Sequence, residues 1–443
     1  MKRYMTPARL FTLGFALIIL VGAGLLCLPA ANKLGQPISF INALFTAGSA
    51  TCVTGLAVYD TWSQFTVLGQ VIIILLIQLG GLGFMTFAIL LSMASGRRIG
   101  LRERIDISEA ISAGRLGGVV KLVKRILLGT LLIEVTGAVL LSIRFIPIFG
   151  AGTGVWYGVF HSISAFCNAG FDLMGVLEPG SSLTHFVGDP LVNVTIMLLI
   201  ILGGLGFIVW DDVLTKKFRF RQLALHTKIV LAFTLGAIIV PSILFALTEN
   251  SVAFAGMSGG EKALASVFCA VTPRTAGFST VNCADLSSGG VTLTTLLMMI
   301  GAGSGSTGGG MKITTFAVLA LSVAAYCRNR RDVNVMQRRI DATICRRAFC
   351  SALLYIGVGL LASYVIMCIQ PLGVKEALFE CFSALGTVGL TLGATTGLTT
   401  ASKIVIILLM YAGRVGSLTL FMAVTDFKNE SLARYPEEPV IIG

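Results

Sequence analysis

The sequence predicts an all-α integral membrane protein of four repeats, each an outer helix, a re-entrant half-helix with its loop, and an inner helix, set around one pseudo-fourfold axis. Three observations predict it. Of the 443 residues, 55% are hydrophobic and only 12% charged, with a mean hydropathy of +0.90, against ~25% charged in a soluble domain. Eight apolar runs are each ~18 residues or longer, enough for a ~30 Å hydrocarbon core at ~1.5 Å per residue. Between them, four short apolar segments lead into similar strings, TCVTG, FCNAG, RTAGF and GTVGL. Their glycines, Gly55, Gly170, Gly277 and Gly389, recur roughly every 111 residues.

The first run, Leu10 to Leu28, follows Lys2 and Arg3 and precedes Pro29-Ala30-Ala31, the outline of a signal peptide. It exceeds the ~7–15 apolar residues of such a segment and seven more runs follow, so it reads as a first membrane helix. The others are Val67 to Met93, Ile126 to Ile143, Leu191 to Trp210, Ile229 to Leu247, Leu293 to Tyr326, Ala352 to Ile369 and Ile404 to Thr425. Ala43-Leu44-Phe45 opens the first half-helix and Ala377-Leu378-Phe379 the fourth, while Val159 to Ala165 and Ala263 to Phe268 form the second and third. About 12 helical residues span ~18 Å, too short to cross. Non-helical backbone at membrane depth survives only within protein or along a water-filled cavity, so four such segments in register read as re-entrant loops. The repeats divide the chain at 1–96, 97–216, 217–328 and 329–443.

The inner runs carry a repeat of their own. Gly80-Gly81-Leu82-Gly83-Phe84 and Gly203-Gly204-Leu205-Gly206-Phe207 are identical, and Gly301-Ala302-Gly303 and Ala412-Gly413-Arg414-Val415-Gly416 stand in the corresponding places. Small residues let helix backbones approach closely, and in the first two repeats plain packing is the expected role. An insertion around Pro179 to Pro190 lengthens the second repeat.

A net charge of +12 raises nucleic acid as a partner, but its placement excludes it. Of 33 Lys and Arg, 25 lie in residues 1–9, 97–125, 216–228, 328–347 and 426–443, alternate connections that share one side of a membrane. Lys and Arg mark the cytoplasmic side, so both termini are expected on the cytoplasmic side of the membrane. Ten cysteines without CxxC spacing and three histidines read as buried thiols rather than a metal centre. No nucleophile–base cluster or paired carboxylates at membrane depth support an enzyme.

What remains suits ion binding. Glycine permits φ values that other residues resist, so each loop can aim carbonyls at one axis, and four loops can supply a ring that replaces the water shell of a small cation. Ahead of each glycine the residues are small or β-branched: Val53-Thr54-Gly55, Asn168-Ala169-Gly170, Thr275-Ala276-Gly277 and Thr387-Val388-Gly389. The last comes closest to the TVGYG loop of potassium channels, which makes K+ the expected ion at Gly55, Gly170, Gly277 and Gly389. Only one glycine is common to all four loops, so looser selectivity is expected than in a filter of four identical strings. Asp60, Asp172 and Asp285 follow their loops on the outer side, as a vestibule that concentrates cations or as solvated surface acids.

The stretch Gly301 to Gly310 interrupts the third inner run with six glycines in ten residues, each disfavouring helix by ~1 kcal/mol. The run should break there into two pieces joined by an unwound loop, which reads as a gate or as a passive kink. Gly303, Gly305 and Gly308 match GxGxxG, but no βαβ unit surrounds them, and Met311 stands where a phosphate loop has lysine. Arg414 stands alone among apolar residues, where a central Arg costs ~2.5–3.5 kcal/mol, so it should face the pore or bond the carbonyls of the Gly-rich loop. Lys312 is expected to snorkel.

SATCVTGLAVYD (49–60), SAFCNAGF (164–171), AVTPRTAGF (270–278), SALGTVGLT (383–391), GAGSGSTGGG (301–310) and GRVGSLT (413–419) together resemble the Trk/Ktr/HKT superfamily of potassium transport proteins, most of all the membrane subunit of Ktr systems. The resemblance covers nearly the whole chain, with no room for the extra amino-terminal hairpin of TrkH. It implies a homodimer with one pore per protomer and a cytoplasmic octameric ring of KtrA type that binds ATP or ADP. It also implies a filter at the four glycines and a gate at Gly303, Ser304, Gly305, Ser306, Thr307, Gly308, Gly309 and Gly310, with Arg414 beneath the filter. The resemblance also implies a dependence on Na+, but no residue here places a sodium site, and no nucleotide site is expected in this chain. The basic connections and Arg434-Tyr435-Pro436 offer surfaces to a partner, a dimer mate or lipid. The expected function is potassium uptake through a gated filter pore. The alternatives are a sodium-coupled symporter or a less selective monovalent cation channel and, in another class, a membrane enzyme or scaffold.

Overall fold

A computed structural model describes residues 7–83 and 119–416, with Glu438 beyond them. The outer helices are Pro7–Leu26, Val119–Phe149, Leu225–Thr248 and Ala342–Ile369. The half-helices are Phe40–Cys52, Ala151–Phe166, Gly259–Val271 and Val374–Gly386. The first inner helix is Val67–Leu82, and the second is Pro190–Leu205, continued by Phe207–Thr215 after a 92° bend. The third is split into Ser288–Met298 and Ile313–Cys327, as its glycines predict, and the fourth is Thr400–Val415. Three described helices, Leu122–Phe149, Leu225–Thr248 and Ala342–Ile369, are long and apolar enough to cross a membrane alone, and the bent second inner pair passes with them. The far ends of the first and fourth inner runs, most of connection 97–125 and the Arg434-Tyr435-Pro436 string lie outside the described residues.

The same local chemistry starts every inner helix. Thr66, Asp189, Ser287 and Thr399 each cap the N-terminus with a side-chain oxygen that accepts from a first-turn N–H, offsetting donors that a helix start leaves unpaired. Pro190 follows Asp189 at the first helical position, where its missing N–H costs nothing. In the third half-helix Ser258 and Glu261 form a reciprocal capping box.

Burial separates two layers. The half-helices are the inside: Phe45, Phe160, Phe166, Phe268, Phe379 and Phe382 on them are fully buried. The outer helices turn leucines outward instead, with Leu17 63%, Leu132 69% and Leu353 71% exposed, a surface suited to lipid rather than water.

One hairpin, Val333–Val335 with Arg338–Ile340, adds a small strand pair to the predicted all-α chain. Its two-residue turn places Met336 and Gln337 at φ 46° and 64°. Turns of this sort favour Asn-Gly or Asp-Gly, so Met-Gln carried no signal of it. Val333, Val335 and Ile340 pack on Ala317 and Val318 of the third inner helix.

Candidate ion pathway

Each half-helix runs into a left-handed residue. Val53, Asn168, Thr275 and Thr387 have φ of 59°, 60°, 65° and 51°, and the glycines two places on, Gly55, Gly170, Gly277 and Gly389, have 95°, 68°, 78° and 92°. The residue between them, Thr54, Ala169, Ala276 or Val388, stays out of that region. Alternating the sign of φ over three residues lets successive carbonyls face one side of the chain, the backbone form of a carbonyl ring.

The four loops meet. A Cβ added to Gly55 would lie 2.6 Å from the carbonyl oxygen of Ala169, one on Gly170 2.8 Å from that of Ala276, and one on Gly277 2.5 Å from that of Val388. On Gly389 it would overlap the carbonyl oxygen of Thr54, which closes the circuit. Glycine is thus required twice, by its φ and by its neighbour's backbone.

A hydroxyl near the end of each half-helix holds the loop from behind. Ser49 Oγ accepts from Gly55 N at 3.1 Å, Ser164 Oγ donates to Phe171 O at 2.7 Å, and Thr272 Oγ1 donates to Phe278 O. Ser383 Oγ donates to Leu390 O at 2.6 Å and accepts from Gly389 N at 3.1 Å. Sequence reasoning passed over these residues. Their signal was the Ser-Ala pair six residues before the glycine in three of the four strings.

Beneath the ring, on the side of Val53, Asn168, Thr275 and Thr387, lies the Gly-rich loop. Thr307 Oγ1 donates to Phe166 O at 3.1 Å and to Asn168 Oδ1 at 3.2 Å, and Gly309 N donates to Thr387 Oγ1 at 3.1 Å. Gly308 packs so closely on Thr275 that a Cβ there would strike its hydroxyl. The loop therefore touches three of the four left-handed residues. Its backbone is tied to the inner helices: Gly303 N donates to Gly204 O at 2.7 Å, Thr307 N to Gly203 O at 3.3 Å, Phe207 N to Gly305 O at 2.8 Å and Gly310 N to Gly413 O at 3.2 Å. Ser304 Oγ pairs with Thr314 Oγ1 at 2.9 Å, while Ser306 Oγ is buried without a hydrogen-bond partner among the described residues. The paired glycines expected only to ease packing also present the carbonyls on which this loop rests.

Arg414 reaches the loop as the sequence predicts. Its guanidinium donates to Thr307 O and to Gly80 O and Gly81 O, the last at 3.0 Å, so one side chain joins the loop to the end of the first inner helix. Lys312 does not snorkel: its Nζ donates to Gly308 O at 2.7 Å. Two basic side chains thus hold adjacent carbonyls of the loop, under a ring whose own residues are neutral.

On the outer side Asp60 caps the short helix Thr61–Gln64, accepting from Ser63 N at 2.7 Å, and packs against Gly175. Asp172 accepts from Met174 N at 2.9 Å. Asp285 is exposed, within the 3-10 turn Cys283–Asp285.

Known proteins share this architecture. The family model TrkH, a cation transport protein, matches residues 25–431. The Ktr system potassium uptake protein B of Bacillus subtilis is 43% identical over 440 residues, 99% of this chain and 97% of that protein. The potassium/sodium uptake protein NtpJ of Enterococcus hirae is 39% identical over 100% of this chain and 98% of its own length. The crystal structure of the potassium transporter TrkH from Vibrio parahaemolyticus superposes with a TM-score of 0.74 at 18% identity, covering 96% of this chain and 86% of that one, a likeness of fold. With a family match that takes in all four glycine loops, the split third inner helix and Arg414, the chain belongs to the TrkH family of cation transport proteins.

Proposed function

We propose that the chain carries K+ into the cell through the ring formed by Val53-Thr54-Gly55, Asn168-Ala169-Gly170, Thr275-Ala276-Gly277 and Thr387-Val388-Gly389. The closed circuit of glycine against carbonyl supports this most directly: four neutral backbone loops converge where a dehydrated monovalent cation needs oxygen ligands. The names of the two relatives above, potassium uptake and potassium/sodium uptake, agree with the ion. Gly303 to Gly310 form the gate in this reading. The loop stands against the filter residues, and Arg414 adds positive charge that opposes a cation there. A cytoplasmic ring of KtrA type that binds ATP or ADP would move it, acting on a homodimer with both termini inside. Asp60, Asp172 and Asp285 would raise cation concentration at the outer mouth.

Uptake of K+ and Na+ into proteoliposomes, with Na+ varied and with or without a KtrA-type ring, tests the proposal. K+ uptake that exceeds Na+ uptake and rises with the ring is the expected result. Equal uptake of both ions would favour a less selective cation channel, and K+ uptake abolished without Na+ would favour a coupled symporter. No K+ uptake under any condition would overturn the proposal.

A further inference from the structure

The ring is alike in all four loops, but its outer edge is held differently in diagonal pairs. Nine residues before the filter glycine the half-helices carry Thr46, His161, Phe268 and Glu380. His161 Nδ1 lies 2.7 Å from Tyr157 O, so it carries the proton and donates there, leaving Nε2 to accept from Leu173 N at 3.3 Å. Leu173 is three places past Gly170. Glu380, buried at 1% exposure, accepts from Leu392 N at 3.3 Å, three places past Gly389, and also from the hydroxyls of Thr391 and, at 2.7 Å, Thr395. Thr46 instead bonds within its own helix, to Asn42 O at 3.0 Å, and Phe268 brings no polar atom. The outer stretch of the third loop is secured from elsewhere: Ser279 N donates to Ser182 Oγ at 3.1 Å and Leu183 N to Ser279 O at 2.9 Å, so the insertion of the second repeat holds it. In the circuit of contacts the second and fourth loops face each other across the axis.

We propose that Glu380, with His161 as its diagonal counterpart, is a positioning residue that sets how strongly the pathway prefers K+ over Na+. This rests on the filter reading above. Neither side chain reaches the ion. Each fixes the strand leaving the filter to the half-helix behind it, so that the ring cannot draw inward around a smaller cation. A buried carboxyl group that accepts three hydrogen bonds is a stiff anchor, because each donor would be left unpaired without it.

The test is the ratio of K+ to Na+ uptake in proteoliposomes, with melting midpoint and elution volume followed in parallel. Glu380→Ala should lower the ratio about tenfold, the equivalent of ~1.4 kcal/mol. Glu380→Gln, which keeps an acceptor oxygen, should restore most of it. Phe268→Ala, at the matching place without a brace, should leave the ratio unchanged, which separates bracing from half-helix packing. If Glu380→Ala does not fold, Thr395→Val removes one of the three bonds to Glu380 at constant shape, together with the contact to the Thr391 hydroxyl, and should lower the ratio by a smaller factor. A folded Glu380→Ala or Thr395→Val protein with an unchanged ratio overturns the proposal, as does an equal drop for Phe268→Ala. Gly277→Asp serves as reference. If it abolishes selectivity while Glu380→Ala does nothing, only the brace fails; if Gly277→Asp itself changes nothing, the filter reading fails.

Discussion

Around Gly55, Gly170, Gly277 and Gly389 the molecule repeats itself; in the layer beneath them it does not. Each loop has a left-handed residue two places before its glycine and a half-helix hydroxyl behind it. In the lower layer Gly80, Gly203 and Gly413 each press on a carbonyl four residues before one of these glycines, those of Thr51, Phe166 and Leu385. The next residue, however, is glycine in the first two repeats, Gly81 and Gly204, and Arg414 in the fourth. The third repeat loses its helix there altogether. A ring that binds a spherical ion gains from equivalent contributions, whereas an obstruction needs to come from one side only. The divergence between layers is what a symmetric binding element above a single movable element would produce.

The comparison breaks most severely at the ring. Gly277→Asp puts a charged side chain where even a Cβ meets the carbonyl of Val388, at a φ of 78° that L residues rarely adopt. K+ uptake should fall by tenfold or more, or the preference over Na+ should vanish; unchanged uptake and preference at normal expression would remove Gly277 from the filter.

A change in the lower layer should act in the opposite direction. Deleting residues 304–309 removes the segment that touches Asn168 and Thr387, so basal K+ flux should rise several-fold and, on the proposed reading, depend less on a KtrA-type ring. Arg414→Ala frees Thr307 O and the two carbonyls of the first inner helix and should also alter gating. A shortened protein that folds yet stays closed and fully regulated would reduce the loop to a kink.

The smallest effect belongs to the hydroxyls shared by all four repeats. Ser383→Ala strips partners from Gly389 N and Leu390 O, a loss of about 1–3 kcal/mol, read as a lower melting midpoint in detergent with flux reduced less than by Gly277→Asp. An unchanged midpoint would show that the loop is held by its neighbours alone.

Much of this was legible in the chain. Gly55, Gly170, Gly277 and Gly389 stood out because a positive φ at a crowded position leaves one residue type, and that requirement survives in the sequence. Arg414 stood out because an isolated charge among apolar neighbours must find acceptors. The left-handed turns at Val53, Thr275 and Thr387 were not legible, since β-branched residues disfavour that conformation and only the packed surroundings impose it. Lys312 was misjudged for a related reason: its partner, Gly308 O, becomes available only once the loop has unwound.

By itself the sequence determined the membrane class, the order of four repeats, the glycines that must line one axis and the point where the third inner helix breaks. These follow from hydrophobic length, repetition and the conformational limits of single residues, all of which act along the chain. Tertiary structure alone decided that Gly389 closes on Thr54, that Arg414 joins the loop to Gly80 and Gly81, and that Glu380 and His161 brace opposite loops. Those contacts join residues from 12 to 335 places apart, and the longer ones exist only because the half-helices converge, a geometry that no local pattern records.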